Sequence, residues 1–339
     1  MKKILIAALL LFTTLAPAAS YLPQHLRTDG KGVQKAFASA AEAAQKCTVR
    51  VYHGRKMVLG TLVSKDGLII CKNSEFSTTT PGRIVVKFVG RNRPYRAKVV
   101  ARDSAHDQVI IDLDSEVDPG FVWGDSKGLV HGTWLVAGTS DSPPKVGVRG
   151  GVLSAKTREI KKAAGVIGVI LGSGSKRIGG VQVRDLAKEG PAAKAGVKKN
   201  DVITAINGEE VFETSKLMDI IKSYDPGAKL KVSIKRGDKK MEFNITLGYR
   251  NIVYADMKSR NDRMSKKVSV RRTGFKSILQ HDISLATTDM GGPLFDLEGK
   301  LVGINIAKAN RVEFFAIPAD AIQKVLEDKA DEIAKAREE

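Results

Sequence analysis

Six short apolar or alternating runs, joined by turns and without a helix between them, fill the chain from residue 48 to residue 113. Runs of this length and texture are typical of β-strands, and the Asp66-Gly67 pair between two of them is a strong hairpin signal. Many short strands without intervening helices close into a barrel or stack as a sandwich. We therefore predict an all-β domain with strands at Thr48–Tyr52, Val58–Val63, Leu68–Cys71, Ile84–Phe88, Arg96–Val100 and Gln108–Leu113.

The sequence pattern changes at Gly165, where a predicted strand begins with glycine. The following stretch 190–208 reads Gly-Pro-Ala-Ala-Lys-Ala-Gly-Val-Lys-Lys-Asn-Asp-Val-Ile-Thr-Ala-Ile-Asn-Gly. It resembles the signature of PDZ domains, with a short helix from Pro191 that ends at Gly196 because glycine suits the left-handed C-cap. Asn200 stands where the pattern usually has glycine, and asparagine is the next best residue for positive φ. The resemblance implies an α+β PDZ domain over residues 165–249, with a second helix over 215–224.

The loop around Met290 carries a second resemblance. Thr-Asp-Met-Gly-Gly-Pro-Leu at 288–294 leads into a hairpin that ends Val-Gly-Ile-Asn at residue 305. It resembles the nucleophile loop of HtrA/DegP-type trypsin-like serine proteases, Gly-Asn-Ser-Gly-Gly-Pro-Leu. The passages 123–138 and 149–154 resemble two further segments of that family. The resemblance implies a mainly β fold, a trypsin-like double β-barrel formed by residues 47–160 and 251–318.

The PDZ domain is predicted to be inserted between these two parts, whereas in most HtrA-type proteins it follows the protease. Apolar residues at helical spacing predict an N-terminal helix over 31–46, within a helical segment 21–46, and a C-terminal helix within 319–339. Residues 1–20 have two lysines, an apolar block and small residues before a cleavage site, which predicts a removable signal peptide and an exported, periplasmic or extracellular protein. A retained membrane anchor is the alternative.

The catalytic positions of the protease family can be placed one at a time. A serine protease needs a nucleophile, a histidine base, an orienting aspartate and backbone donors for the oxyanion. Met290 stands at the serine position and Ser74 at the histidine position, whereas Asp107 matches the aspartate. Thr288 replaces the glycine whose amide helps form the oxyanion hole, and its β-branched side chain resists unusual backbone angles. We predict a degenerate triad in which Asp107 is a structural carboxylate.

A rearranged catalytic centre is the alternative. His281 and Asp282 precede the nucleophile loop, Ser284 and Thr287 are nearby, and Cys71 lies on the strand that leads to Ser74. No spacing among these residues indicates the contact between nucleophile and base that covalent catalysis requires. His106 precedes Asp107 and would point to the opposite side of an extended chain.

The PDZ resemblance implies a peptide-binding site. Val166-Ile167-Gly168-Val169 matches the loop that holds a peptide's carboxylate, with the last three residues as amide donors. Leu217 and Ile221 on the second helix would line the pocket for the last side chain. The alternative is that these residues are only core, since apolar stripes at helical spacing often are.

Charge and composition narrow the partners. The net charge is +19, and basic residues concentrate in the stretches 81–102 and 258–276. These could meet an anionic surface, but aromatic residues are too sparse among them for a specific nucleic-acid site. The five histidines and two cysteines show no metal pattern and no phosphate-binding glycine loop is present, so we expect no cofactor. Whether Cys47 and Cys71 pair is left open.

The leading hypothesis is an exported pseudoprotease that binds peptides, protein C-termini or unfolded segments through its PDZ domain. It could act as an adaptor or regulator in protein quality control, as a homo-oligomer or beside an active HtrA-type protease. The alternative is an active endopeptidase with relocated catalytic residues. A weaker third hypothesis is a surface-binding protein that uses the basic stretches.

Overall fold

The structure is a computed structural model that describes residues 30–54, 56–76, 83–88, 93–141, 146–254 and 264–338, together with Pro23 and Arg27. The predicted signal peptide lies outside these residues, and so do parts of both basic stretches. Within the described ranges, no helix has both the length and the apolar composition needed to cross a membrane.

The first part of the chain forms a closed six-stranded antiparallel barrel in the order β1-β2-β3-β6-β5-β4. The third strand illustrates how the barrel is packed, because all five of its residues are buried. Ile69 and Cys71 lie in the barrel core, whereas Leu68 and Ile70 pack toward the second barrel, as the two-residue period of a strand requires. The strands are β1 Thr48–His53, β2 Lys56–Leu62, β3 Leu68–Lys72, β4 Ile84–Phe88, β5 Tyr95–Asp103 and β6 Gln108–Asp112.

The second barrel is assembled from two separated parts of the chain. Its strands follow the order β17-β8-β9-β16-β19-β18, and β17 also pairs with β18, which closes the ring, while β7 adds to β18 in parallel. The predicted trypsin-like double barrel is thus confirmed. The strands are β7 Val122–Trp123, β8 Trp134–Thr139, β9 Gly147–Ile160, β16 Phe275–His281, β17 Pro293–Phe295, β18 Lys300–Lys308 and β19 Phe314–Pro318.

The PDZ domain has its own sheet, formed by strands that lie in sequence between β9 and β16. The order is β10-β11-β12-β14-β15, with β13 beside β12, so β10 is an edge strand. Gly196 and Asn200 have the positive φ angles that the sequence predicts, 98° and 71°. The strands are β10 Val169–Ser175, β11 Gly180–Leu186, β12 Val202–Ile206, β13 Glu209–Glu210, β14 Lys229–Arg236 and β15 Lys239–Thr246.

The helices lie on the outside of these sheets. The N-terminal helix contributes four buried residues, including Ala40 and Ala44, to the first-barrel core, where small side chains allow close packing. The prediction of a single C-terminal helix is wrong, because the helix is interrupted at Lys329. The break lets Ile333 pack between the barrels while Arg337 binds Asp112 with an N–O distance of 2.7 Å. The helices are α1 Lys31–Cys47, α2 Pro191–Ala195, α3 Thr214–Lys222, α4 Arg250–Val253, α5 Ala319–Asp328 and α6 Ala330–Glu338.

A shared apolar cluster joins the two barrels and positions the candidate site. It combines Ile70 and Ile110 of the first barrel with Phe275 and Ile304 of the second, all of them fully buried. The loop before β17 also contacts the first barrel directly, because Thr61 Oγ1 donates to the Gly291 carbonyl at 2.7 Å.

Candidate functional site

Asp107 occupies the turn between β5 and β6 with φ at 59°, a left-handed conformation that aspartate tolerates. Its carboxylate is 2% exposed and accepts three hydrogen bonds. The Ser74 amide donates to Oδ1 at 2.8 Å, the Ser74 hydroxyl donates to Oδ2 at 2.8 Å, and Lys72 Nζ donates to the same Oδ2 at 2.5 Å. The carboxylate is therefore engaged where a triad histidine would otherwise be held.

Lys72 is the partner that sequence reasoning missed. It shares a strand face with Leu68 and Ile70, and its side chain is fully buried. Burial lowers its pKa, and the Asp107 carboxylate offsets part of that effect. The only available sequence signal was a charged residue directly after the apolar run 68–71. In this trio the Asp107 carboxylate accepts from both the Lys72 ammonium and the Ser74 hydroxyl.

Met290 fills the place of the nucleophile with apolar bulk. Its side chain is fully buried in the core of the second barrel, beside Leu135 and Leu153. The thioether is flexible and apolar and suits such a packed interior. Gly291, with φ at 96°, carries the chain past Leu59, whose carbonyl oxygen would lie 2.1 Å from a Cβ atom at this position. The loop is thus held tightly while its central side chain points into the core.

The backbone of this loop forms a 3-10 turn at Thr287–Asp289. The Met290 amide donates to the Thr287 carbonyl at 3.4 Å, and the Asp289 amide donates to the Ala286 carbonyl at 3.1 Å. The Asp289 carboxylate accepts the Ser140 amide at 2.8 Å and the Ala286 amide at 2.7 Å, which fixes the turn. The Met290 amide, which would stabilise an oxyanion in the family, therefore donates within its own turn. The half-buried Thr288 lies within this turn.

His281 has no free nitrogen for catalysis. Its Nε2–H donates to Asn305 Oδ1 at 2.8 Å, and its Nδ1 accepts the Ile283 amide at 3.2 Å. Burial lowers its pKa to about 4, so the ring is neutral near pH 7. It supports the β16–β18 region of the second barrel.

The cysteines and His106 are further candidates for a rearranged centre. Cys47 and Cys71 are buried free thiols whose pKa values are raised by burial. His106 Nδ1 lies 2.5 Å from Asp103 Oδ2, away from Asp107. Within the described ranges, no three His, Cys, Asp or Glu side chains form a group that could hold a metal ion.

The PDZ loop presents free donors. The Ile167 carbonyl accepts the Ala192 amide at 2.8 Å and the Gly168 carbonyl accepts the Ala187 amide at 2.9 Å. The hydrogen bonds of the described residues include none donated by the Ile167 and Gly168 amides. Gly168 has φ at 82°, and a Cβ atom there would lie 2.9 Å from the Val253 side chain. Amides of this kind bind carboxylates in PDZ domains.

The groove beside this loop has a volume of about 850 Å3, which is in the range of ligand sites. Of the predicted peptide-binding residues, Val166, Ile167, Val169 and Ile221 line this groove, whereas Gly168 is not among its lining residues. The assignment of Leu217 is wrong, because this residue is fully buried in the PDZ core and does not line the groove. The groove-facing edge of α3 is instead formed by residues three and four positions apart, Thr214, Met218 and Ile221.

The architecture defines a class of protein, namely a trypsin-like double barrel interrupted by a PDZ domain. The family model that matches is the PDZ domain, over residues 152–247. The chain is 34% identical over 76 residues to the serine endoprotease DegS of Salmonella typhimurium, a match that covers 22% of this chain and 21% of that protein. It is 21% identical over 266 residues to a probable periplasmic serine endoprotease, DegP-like, of Pseudomonas putida.

The match to the Pseudomonas protein covers 56% of this chain and 55% of that protein. A DegP-like protein of Brucella suis is 44% identical over 59 residues, which cover 17% of this chain and 12% of that protein. The chain therefore spans at most about half the length of these relatives. Fold and comparisons together relate the chain to the HtrA/DegP-type trypsin-like serine proteases that have a PDZ domain.

Proposed function

We propose that this protein binds peptide segments in its PDZ groove and does not cleave them. The observation that supports binding is the combination of unpaired Ile167 and Gly168 amides with an apolar groove next to the edge strand β10. An extended peptide can add to such an edge while its terminal carboxylate meets the amides. A capture protein of this kind could serve as an adaptor or regulator in protein quality control.

Three features support the absence of cleavage. Asp107 is bound to Lys72 and Ser74, Met290 is buried in the barrel core, and the Met290 amide is directed into its own turn. Base, nucleophile and oxyanion donor are thus changed together, whereas loss of base or nucleophile alone removes most of the rate in such enzymes. Several relatives are named as periplasmic proteins, and this supports export of this chain as well.

Binding is tested with fluorescent peptides that end in an apolar residue, each synthesised with a free carboxylate and with an amide. We expect the free carboxylate to bind more tightly in fluorescence anisotropy. Met218→Gln, which makes the groove edge polar, should weaken binding roughly tenfold through the lost apolar contact. Ile178→Gln is the matched control, since Ile178 is 40% exposed against 42% for Met218, belongs to the same domain and does not line the groove.

The same preparation tests for cleavage. We expect no turnover of an unfolded protein substrate and no covalent labelling by a fluorophosphonate or a thiol-directed probe. Labelling that competes with substrate, together with turnover that one point mutation abolishes, would establish the alternative, a relocated catalytic centre. Equal binding of the acid and amide peptides would contradict carboxylate capture.

A further inference from the structure

The peptide groove has a second wall that does not come from the PDZ domain. Residues of the segment 266–273, which leads into β16 of the second barrel, line the groove together with residues of β10 and α3. Tyr249, Arg250 and Tyr254, which follow the last PDZ strand, close one side. The Tyr254 hydroxyl donates to the Val169 carbonyl at 3.1 Å, so it contacts β10 directly.

Alternate residues of this segment face the groove and the barrels. Val268, Val270 and Arg272 line the groove. Between them, Ser269 is fully buried and its amide donates to the Lys308 carbonyl at 3.0 Å. Arg271 Nη2 donates to the Ala105 and Gly274 carbonyls, both at 2.8 Å. The alternation of an extended chain thus fixes one face on the barrels and presents the other face to the groove.

The presented face is basic. Lys222, Arg250, Lys266 and Arg272 all line the groove, and no described lining residue is acidic. Lys308 is a further positive charge near this face. Its pKa is lowered by burial and by the neighbouring Lys266. The Arg272 guanidinium donates to the Ala309 carbonyl at 2.6 Å, a neutral acceptor, and among the described residues no ion pair of Arg272 is found. Asp225, at the adjoining surface, is already paired with Lys162 at 2.6 Å.

We propose that the occupant of this groove is an extended peptide that is apolar at its carboxyl end and acidic upstream, and that Lys266 and Arg272 select its carboxylate side chains. This inference rests on the proposed peptide-binding function and adds the class of ligand. The apolar contacts come from Ile170, Met218, Val268 and Val270, whereas the four cationic side chains favour acidic over neutral or basic sequences. Selection by Lys266 and Arg272 requires the barrel segment as well as the PDZ domain.

The experiment compares three ten-residue peptides that share their apolar last residues and a free carboxylate. Four upstream positions carry Glu and Asp in the first, Gln and Asn in the second, and Lys in the third. We expect the acidic peptide to bind the full chain at least tenfold more tightly than the neutral one in anisotropy titrations at low salt. The gap should narrow in high salt because such contacts are partly screened.

Lys266→Gln/Arg272→Gln should reduce the preference for the acidic peptide to about threefold or less, mainly through weaker binding of that peptide. The matched control is Lys267→Gln/Arg311→Gln, which removes the same charge from two exposed residues that do not line the groove. Lys266→Gln alone, at an exposed position, covers the case in which loss of the Arg272–Ala309 contact perturbs folding.

Each outcome separates the two proposals. Equal binding of acidic and neutral peptides, weakened by Met218→Gln in both cases, would overturn charge selection and leave groove binding intact. A preference that survives in Lys266→Gln/Arg272→Gln, or that the control variant abolishes, would also overturn the selection by this wall. Acidic binding that Met218→Gln does not weaken would place the peptide on another basic surface. Absence of binding by all three peptides would contradict both proposals.

Discussion

At the scale of single residues, the buried pair Lys72–Asp107 is the feature in which this site differs most from a Ser-His-Asp arrangement. Two opposite charges in a low-dielectric interior stabilise each other, but each becomes costly when its partner is lost. The additional contacts of Lys72 with the Arg271 carbonyl at 3.2 Å and of Asp107 with Ser74 satisfy the remaining hydrogen-bonding capacity. The pair is therefore a structural element of the cleft.

Lys72→Met should destabilise the fold by about 3–5 kcal/mol, because it leaves the Asp107 carboxylate buried without its countercharge. Urea denaturation followed by circular dichroism measures this change. Lys231→Met is the control, since Lys231 and Glu242 form an ion pair whose side chains are 55% and 56% exposed, and its loss should cost within about 1 kcal/mol. Similar values for the two variants would show that Lys72 and Asp107 contribute no buried charge pair.

His281 should make stability depend on pH. Its pKa is about 4 in the fold and near 6.5 in the unfolded chain, so the unfolded state binds the proton more tightly. The neutral ring's contribution is complete above pH 6.5 and is lost progressively as the pH falls toward 4, by roughly 3 kcal/mol in total. The free energy of unfolding should therefore decrease less between pH 7 and pH 4 in His281→Gln than in the parent protein. Equal decreases in both proteins would contradict this assignment.

Sequence reasoning reached most positions of the candidate site but few of their contacts. Met290, Ser74 and Asp107 could be placed because the motifs around them survive. Lys72 could not, because a lysine after a strand ordinarily reaches solvent, whereas here contacts with Asp107 and with the Arg271 carbonyl hold its ammonium group in the interior. Leu217 was assigned to the groove because an apolar residue on a helix does not reveal which of two adjacent faces it occupies.

At the scale of elements, the nucleophile loop keeps the framework of an active protease and adopts another local structure. The Asp289 carboxylate, bound by Ser140 and by the Ala286 amide, stabilises a 3-10 turn that consumes the Met290 amide. Most strands were predictable from alternation and turn residues. The two-residue strand β7 and the break at Lys329 were not, since both depend on packing against distant parts of the chain.

Restoring the two missing side chains should not restore catalysis. In Ser74→His/Met290→Ser, the Asp107 carboxylate is still bound to Lys72, and the amide at position 290 still donates to Thr287. We expect no fluorophosphonate labelling and no turnover above the parent protein, with folding checked by circular dichroism because Met290 is part of the core. Trypsin under the same labelling conditions is the positive control. Appearance of activity in the double variant would show that the turn adjusts readily and that only side chains are missing.

At the scale of the whole molecule, insertion of the PDZ domain between β9 and β16 ties both of its ends to the second barrel. The return path of the chain, through 249–254 and then 264–273, runs along the groove before it enters β16. A PDZ domain appended at the end of a chain would not receive this second wall. The closed barrels and the PDZ fold were predictable from motifs, whereas this shared groove requires knowledge of how the two sheets approach each other.

Peptide binding should therefore protect both walls from amide hydrogen exchange. In the full chain saturated with the acidic peptide, we expect slower exchange in β10 and, to a comparable extent, in the segment 264–273, because a bound strand orders the groove and shields both sides from solvent. Mass spectrometry of peptic fragments measures this, with β4 and β5 of the first barrel as internal references that should not change. The amidated peptide at the same concentration should protect both segments less. Protection confined to β10 would show that the peptide contacts the PDZ domain alone and that the barrel segment does not form part of the site.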